Sequence, residues 1–425
     1  DYLVLDYLAE VTLSVMHRQR ARAPNAGYAT DFVTDIGELL PEIVEKNIKV
    51  IANAGGANPR ACTQALIESA RRQGIRSLRI AEVSGDDLFQ ELGSGGGLAE
   101  KIRPLEPDGL SVAEVLPRLT GAHAYIGAEP IVEALRQGAQ VVLTGRCSDP
   151  SLFLAPFLHE FGVAPGDWDS RALGTVVGHI LECGGQASGG NFQGDWRAVP
   201  DLEKLGFPIA EIEDPSRAVI TKHASLGGLI SPAVIKEQLV YEIGDPKRYI
   251  TPDCTADFTS IRLDDLGNNR VEVSGVRGGP PPEELKLACY YEAGWMVSGE
   301  MTYTWPDARA KALAAGELVR RRTEQKVGLK FDEWRIECIG AGACHGDLSF
   351  DGIEPEEVIL RIAACSKDRD ACDWLGREMA PLILTGPPGA TGFASGRPRA
   401  SKRVAYWPGL IPRGCVRPKV EFFAS

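Results

Sequence analysis

The chain has 425 residues, 44% of them hydrophobic and 24% charged, which is an ordinary soluble globular composition long enough for about two or three domains. Its net charge of -12 argues against nucleic acid as the main partner. No apolar run reaches membrane-spanning length and no signal-peptide pattern appears, so the expectation is a cytoplasmic protein without a membrane partner.

Taken in order, residues 3–5 read as a buried strand that runs out into Asp6 and Glu10. Asp1 stands beside this strand without a methionine, so an upstream strand and turn are expected to be missing. A helix is predicted over 36–46, capped by Asp35. Residues 50–52 form a second strand, which stops at Asn53. Gly55 and Gly56 allow a tight turn, Asn58 suits the N-cap, Pro59 suits the first helical position, and helix formers continue to Gln73. Such a turn aims backbone N–H groups at the positive end of a helix. It either receives a carboxylate, phosphate or thioester oxygen, or is a structural turn that binds nothing.

The third strand, 78–81, empties into Glu82, Asp86 and Asp87. A glycine-rich loop follows at 93–97, then a short helix over 130–137. The fourth strand, 140–143, empties into Arg146 and Asp149. Alternating strand and helix implies an α/β part with a mainly parallel sheet and crossover helices. In such sheets ligands sit outside the carboxyl ends of the strands. The polar residues at those ends therefore read as one shared site, against the alternative of solvated loop residues.

A helix over 172–182 places His179 and Glu182 on one face, as a satisfied structural pair, an acid/base pair or half of a metal motif. It runs into Gly184 and Gly185, a second candidate oxyanion loop or a hinge. Lys222 and His223 precede another glycine pair. A hairpin is expected from 259–263 and 270–276, turning at Asn268-Asn269. From 284 onward the pattern is strand, strand, helix, strand, strand, helix, an α+β part of the split β-α-β kind. The expected division is 1–195 for the α/β domain and 196–425 for the α+β domain. The latter ends in a basic tail of Arg397, Arg399, Lys402, Arg403, Arg413, Arg417 and Lys419, which suits nucleotide phosphates or an acidic neighbouring subunit.

The ten cysteines include no C-x-x-C pair and read as reduced, buried small residues, so a zinc site is not expected. Dinucleotide, P-loop, zinc-protease and G-x-S-x-G signatures are absent.

The runs DYLVLDYLAEVT (1–12), IANAGGANP (51–59), VVLTGRCSDP (141–150), GHILECGGQASGGNF (178–192), TKHASLGG (221–228) and YEIGDP (241–246) resemble the acyclic terpene utilisation AtuA family. The resemblance spans nearly the whole chain. It implies a catabolic enzyme of acyclic terpene or branched acyl-CoA breakdown, working alongside carboxylases and hydratases, and transfers no catalytic residues.

The residues themselves supply the assignments. A lyase or hydratase acting on an acyl-CoA thioester or related carboxylic acid would use Glu10, Glu82 or Asp86 as base and His179 or His223 as acid. Asn53, Gly55, Gly56, Asn58, Arg146, Asp149, Gly184, Gly185 and Lys222 would hold the substrate. No cofactor is required on this reading. Two alternatives stand beside it. One is a divalent cation held by Asp6, Glu10, Glu82 and Asp86. The other is a non-catalytic partner subunit of a carboxylase or hydratase pathway. A homo-oligomer is expected from size alone.

Overall fold

A computed structural model describes residues 1–95, 97–326, 328–348, 354–392 and 396–425. Gly96 of the expected glycine loop and Phe393 of the C-terminal loop lie outside the described residues. The fold is mixed α/β, with one mainly parallel sheet and several antiparallel ones. The chain forms two units, Asp1–Tyr290 with Tyr406–Ser425, and Tyr291–Ala405. Residues 196–290, expected to open the second domain, cluster with the first unit.

In the first unit the chain lays down β1 (Tyr2–Leu5), α1 (Glu10–Arg22), α2 (Thr30–Glu45), β2 (Lys49–Ala52), α3 (Pro59–Arg72) and β3 (Arg79–Ser84). It continues with β4 (Leu119–Ala124), α4 (Glu129–Arg136), β5 (Val141–Thr144), α5 (Asp149–Phe161) and α6 (Trp168–Glu182). The main sheet runs β1-β2-β5-β3, all parallel, and the strand Lys419–Ala424 closes its far edge antiparallel to β3. Val50, Ile51, Val141, Val142, Ile80 and Ala81 are fully buried, as strands covered on both faces require. Each Val and Ile side chain among them contributes about 1.5–3 kcal/mol by leaving water.

The turn after β2 forms as the sequence predicts. Asn58 caps α3 by accepting from the Ala61 amide at 3.3 Å, and Pro59 opens the helix. Helix α2 starts at Thr30, six residues before the predicted 36, because Phe32 joins Ile36, Leu40 and Ile43 on one buried stripe. Helix α1 was not foreseen. Strand β3 runs to Ser84, so Glu82 lies within the strand rather than beyond its end. A separate antiparallel sheet holds Ile209–Asp214, Arg217–Thr221, Arg262–Gly267 and Arg270–Ser274. Its hairpin turns at Asn268 and Asn269, both at positive φ, with the first strand three residues later than predicted.

In the second unit the strands Glu333–Ile339 and Glu357–Ser366 neighbour residues 291–304 of the strand Glu284–Thr304 and residues 401–405 of the strand Ser401–Pro412 in that order, with the helices Ala308–Arg321 and Arg369–Met379 between them in the chain. The residues of Glu284–Thr304 were expected as two strands and form one. Its core packs Met301, Tyr303, Val319, Leu360, Ile362, Leu375 and Met379. Three of the C-terminal cations have partners within the fold. Lys402 pairs with Glu292 at 2.8 Å and Arg403 with Glu333 at 3.3 Å, both within this unit. In the first unit Arg413 donates to the carbonyls of Pro252 and Pro282.

Candidate functional site

The carboxyl ends of the four parallel strands carry Asp6, Asn53, Asp86 and Arg146 on the turns that follow. They meet in two pairs, Asp6 with Asn53 and Asp86 with the Arg146 amide. The Asn53 amide donates to Asp6 Oδ1 at 2.5 Å, and its carbonyl oxygen accepts from the Tyr7 amide at 2.7 Å. Asn53 is buried, so this pair ties the ends of β1 and β2 together.

Arg146 is 1% exposed. Its Nε donates to the Cys147 carbonyl at 2.7 Å, one terminal nitrogen to the Leu8 carbonyl, and the other to Asp149 at the first residue of α5. The guanidinium lies 4.7 Å above the Tyr125 ring. These contacts satisfy three of its five N–H donors and stack its plane on an aromatic face. Tyr125 in turn donates to Glu10 Oε1 at 3.1 Å, and Lys286 Nζ stands 3.5 Å from the same oxygen. Lys286 also lies over the Tyr125 ring at 4.8 Å and the Tyr406 ring at 5.8 Å. Burial pulls the Glu10 carboxyl upward, but a backbone hydrogen bond, Lys286, Tyr125 and Arg146 outweigh it and leave it below its ordinary value. Glu10 and Lys286 are the open part of the cluster, with side chains 49% and 38% exposed.

Asp86 forms the other half. One of its oxygens, Oδ2, accepts from the Arg146 amide at 2.7 Å and lies 2.8 Å from His123 Nδ1. His123, on β4, faces His17 of α1 with 2.6 Å between their Nε2 atoms. Two glycines make this packing possible. A Cβ on Gly145 would stand 2.5 Å from the Asp86 carboxylate, and one on Gly121 would stand 2.6 Å from the His17 ring. The Tyr290 ring lies tilted at 6.3 Å from that of His17, and its hydroxyl is buried without a hydrogen-bond partner among the described residues.

The remaining predicted residues have other surroundings. Glu82 accepts from Arg60 Nε at 2.8 Å, within an ion pair that Glu421 shares. The amides of Gly56, Ala57 and Asn58 are bonded to the carbonyls of Asn53, Gly27 and Gly55, and Met16 of α1 lies against Gly56. Those N–H groups are therefore already engaged. Asn58 also donates to the carbonyls of Pro24 and Ala26. Gly184 and Gly185 pack beside Phe207 and Leu205. Lys222 Nζ donates to the Leu226 carbonyl at 2.6 Å, and His223 is exposed.

His179 Nδ1 is 2.8 Å from Glu182 Oε1, and the buried His179 ring packs against Tyr249 and Phe258. Burial raises the Glu182 carboxyl, and the charges of Asp6 and Glu242 add to this against the pull of His179. The four carboxylates expected to hold a cation each have a different partner. Among the described residues no group of three or more His, Cys, Asp or Glu is arranged to hold a metal ion. Burial pushes the Cys147 thiol beside Arg146 up to about 12, which keeps it protonated and unreactive.

Sequence reasoning missed His17, Tyr125, Lys286, Tyr290 and Tyr406. One signal was readable. Glu10, Leu13, Ser14 and His17 follow helical spacing from the end of β1. Nothing local announces the last three, which arrive from strands at residues 284–290 and 406.

This geometry defines an α/β protein whose parallel strands end in a buried polar cluster, with cationic and acidic side chains at its open side. No described helix is long and apolar enough to cross a membrane. The family described as Acyclic terpene utilisation family protein AtuA matches residues 1–422. The chain belongs to the AtuA family, which gives it a role in acyclic terpene utilisation. No curated protein and no solved structure matches it.

Proposed function

We propose that this chain is an enzyme of the lyase or hydratase type, acting on a branched acyl-CoA thioester or a related carboxylic acid at the strand-end cluster. The observation that carries the reading is the buried Arg146, stacked on Tyr125 and adjoining the Glu10–Lys286 pair at the open side of the site. Such reactions need a base for an α-proton or a water, and a fixed positive field for the oxyanion that develops. Glu10 is held ionised and reachable, which suits the base. Lys286 and the two unused N–H donors of Arg146 suit the anionic oxygen. Within a family of acyclic terpene utilisation, branched acyl substrates fit this chemistry.

The turn after β2 loses support as an oxyanion holder, since the amides of Gly56, Ala57 and Asn58 are already bonded. His179 and Glu182 remain a candidate second acid/base pair.

The test is a thermal-shift screen of the purified chain against acyl-CoAs, free branched acids and divalent cations, followed by product analysis for each ligand that binds. A ligand that binds the native state alone raises Tm by mass action. An acyl-CoA or acid is expected to stabilise the protein, and Lys286→Ala to abolish the shift without unfolding it. Stabilisation by cations alone, or a shift that survives both Lys286→Ala and Glu10→Gln, would move the site elsewhere.

A further inference from the structure

The His17, His123 and Asp86 chain is a closely packed polar arrangement in which the sequence pattern singled out Asp86 alone and the family assigns no role. Two nitrogens at 2.6 Å require one proton between them. Asp86 Oδ2 accepts from the Arg146 amide, and an ionised carboxylate can only accept, so His123 Nδ1 carries a hydrogen toward it. Both nitrogens of His123 are thereby engaged, and its side chain is 0% exposed. His17 is different. Its ring is only partly buried, and its Nδ1 has no hydrogen bond among the described residues. The chain thus has one closed end, at Asp86, and one open end, at His17 Nδ1.

We propose that His17 is the catalytic acid of this site and that His123, positioned by Asp86, resupplies its proton. The assignment rests on the enzyme reading above. In the step, the His17 Nδ1–H bond breaks as the developing oxyanion or carbanion of the substrate takes that proton. The His123 Nε2–H bond breaks as its proton passes to His17 Nε2. His123 goes from imidazolium to neutral imidazole, His17 stays neutral in its other tautomer, and Asp86 remains ionised. The Nε2–Nε2 hydrogen bond survives with its polarity reversed, so the rings need not move.

The surroundings favour that starting state. For His123, burial acts downward, but the hydrogen bond and charge of Asp86 with the charge of Asp87 outweigh it, against Arg146, and hold the ring above its ordinary value. For His17, burial, the neighbouring His123 and Arg20 hold it down at about 4 against the pull of Asp87. The aromatic rings of Phe89 and Tyr290 complete the packing around His17 and add no charge at neutral pH. The clearance at Gly121 and Gly145 would be lost with any larger residue, so the backbone is shaped around this pair.

The experiment uses the full chain labelled with ¹⁵N-histidine. Imidazole NMR spectra are followed from mildly acidic to mildly basic pH, together with turnover on the ligands found by the thermal-shift screen. At neutral pH His123 is expected with both nitrogens protonated and His17 with hydrogen on Nδ1 only. The bridging proton should vanish in both His17→Gln and His123→Gln. His17→Gln should lower turnover roughly 100-fold while substrate binding stays within a few-fold. His123 neutral at neutral pH, or His17 titrating at its ordinary value with or without His123, overturns the assignment. So does a stoichiometric Zn²⁺ that binds wild type and is lost in both variants, since the pair would then be a metal site. Wild-type turnover left unchanged in folded His17→Gln overturns this assignment alone. Absence of wild-type turnover across the ligand panel overturns the enzyme reading and the acid role with it.

Discussion

The two units of this chain handle polarity in opposite ways. Among the described residues, the second unit buries only Thr323 and Ser366 as polar side chains. Its charges lie in partly exposed or exposed pairs such as Arg361–Glu337 and Arg320–Glu317, and its interior is an aliphatic and aromatic core. The first unit buries Asn53, Glu82, Asp86, His123, Arg146, Arg171, His179, Gln238 and Asp253. Burying such groups costs several kcal/mol each unless every one is matched. A fold gains little stability from doing so where Leu or Val would fit. The contrast teaches where chemistry is to be sought. The second unit is built for stability, and the first accepts the desolvation cost that a preorganised polar site requires.

The contrast is broken most directly at Asp86. Asp86→Ala leaves the His123 imidazole and the Arg146 amide buried without their acceptor. The expected loss is about 3–5 kcal/mol in a denaturant titration. A loss below about 1 kcal/mol would mean that the polar cluster is not interdependent. In the second unit, Leu360→Ala in a fully buried position is expected to cost about 2–5 kcal/mol while ligand binding per folded molecule stays at the wild-type level. If binding falls with it, the division of labour between the units is wrong.

Gly145→Ala sharpens the comparison. Its added methyl meets the Asp86 carboxylate, so about 1–3 kcal/mol of stability and most of the site's acid–base function should be lost together.

The pH dependence separates the two histidines. His17 has its folded value depressed from 6.5 to about 4, so the unfolded chain takes up more protons between those limits. Its contribution to stability therefore falls as pH drops from 6.5 toward 4, and Tm of His17→Gln should fall less steeply there than wild type. His123 is held above its ordinary value, so its contribution is complete on the acid side of 6.5 and is lost as pH rises through the folded value. The smallest effect is expected from Glu337→Gln. This removes a partly exposed ion pair of the second unit, and equilibrium unfolding should change by about 0–1 kcal/mol.

How much of this was legible depended on range. The turn at Gly55, the Asn58 cap and the Pro59 start are local events, written into consecutive residues, and they form as read. The strand Glu333–Ile339 is the third strand of the pattern read from 284 onward. Glu82 was misread as a strand-end residue because apolar periodicity does not mark where β3 stops. Pairing with Lys419–Ala424, more than 330 residues away, extends that strand and places Glu421 opposite Glu82. The partners of the tail's cations were out of reach for a related reason. A run of cations does not announce that Lys402 and Arg403 pair with Glu292 and Glu333 or that Arg413 donates to the Pro252 carbonyl.

By itself the sequence determined the family, the alternation of strand and helix in the first third, and the polar residues at the ends of the parallel strands. These follow from side-chain period, turn chemistry and motif, each of which acts over a few residues. Only the tertiary structure decided which polar residues meet. His17 reaches His123 because α1 crosses β4 at Gly121, and Lys286, Tyr290 and Tyr406 reach Tyr125 or its neighbours because long-range strand pairing brings them there. Contacts between groups more than a hundred residues apart depend on packing and burial, which no local pattern encodes.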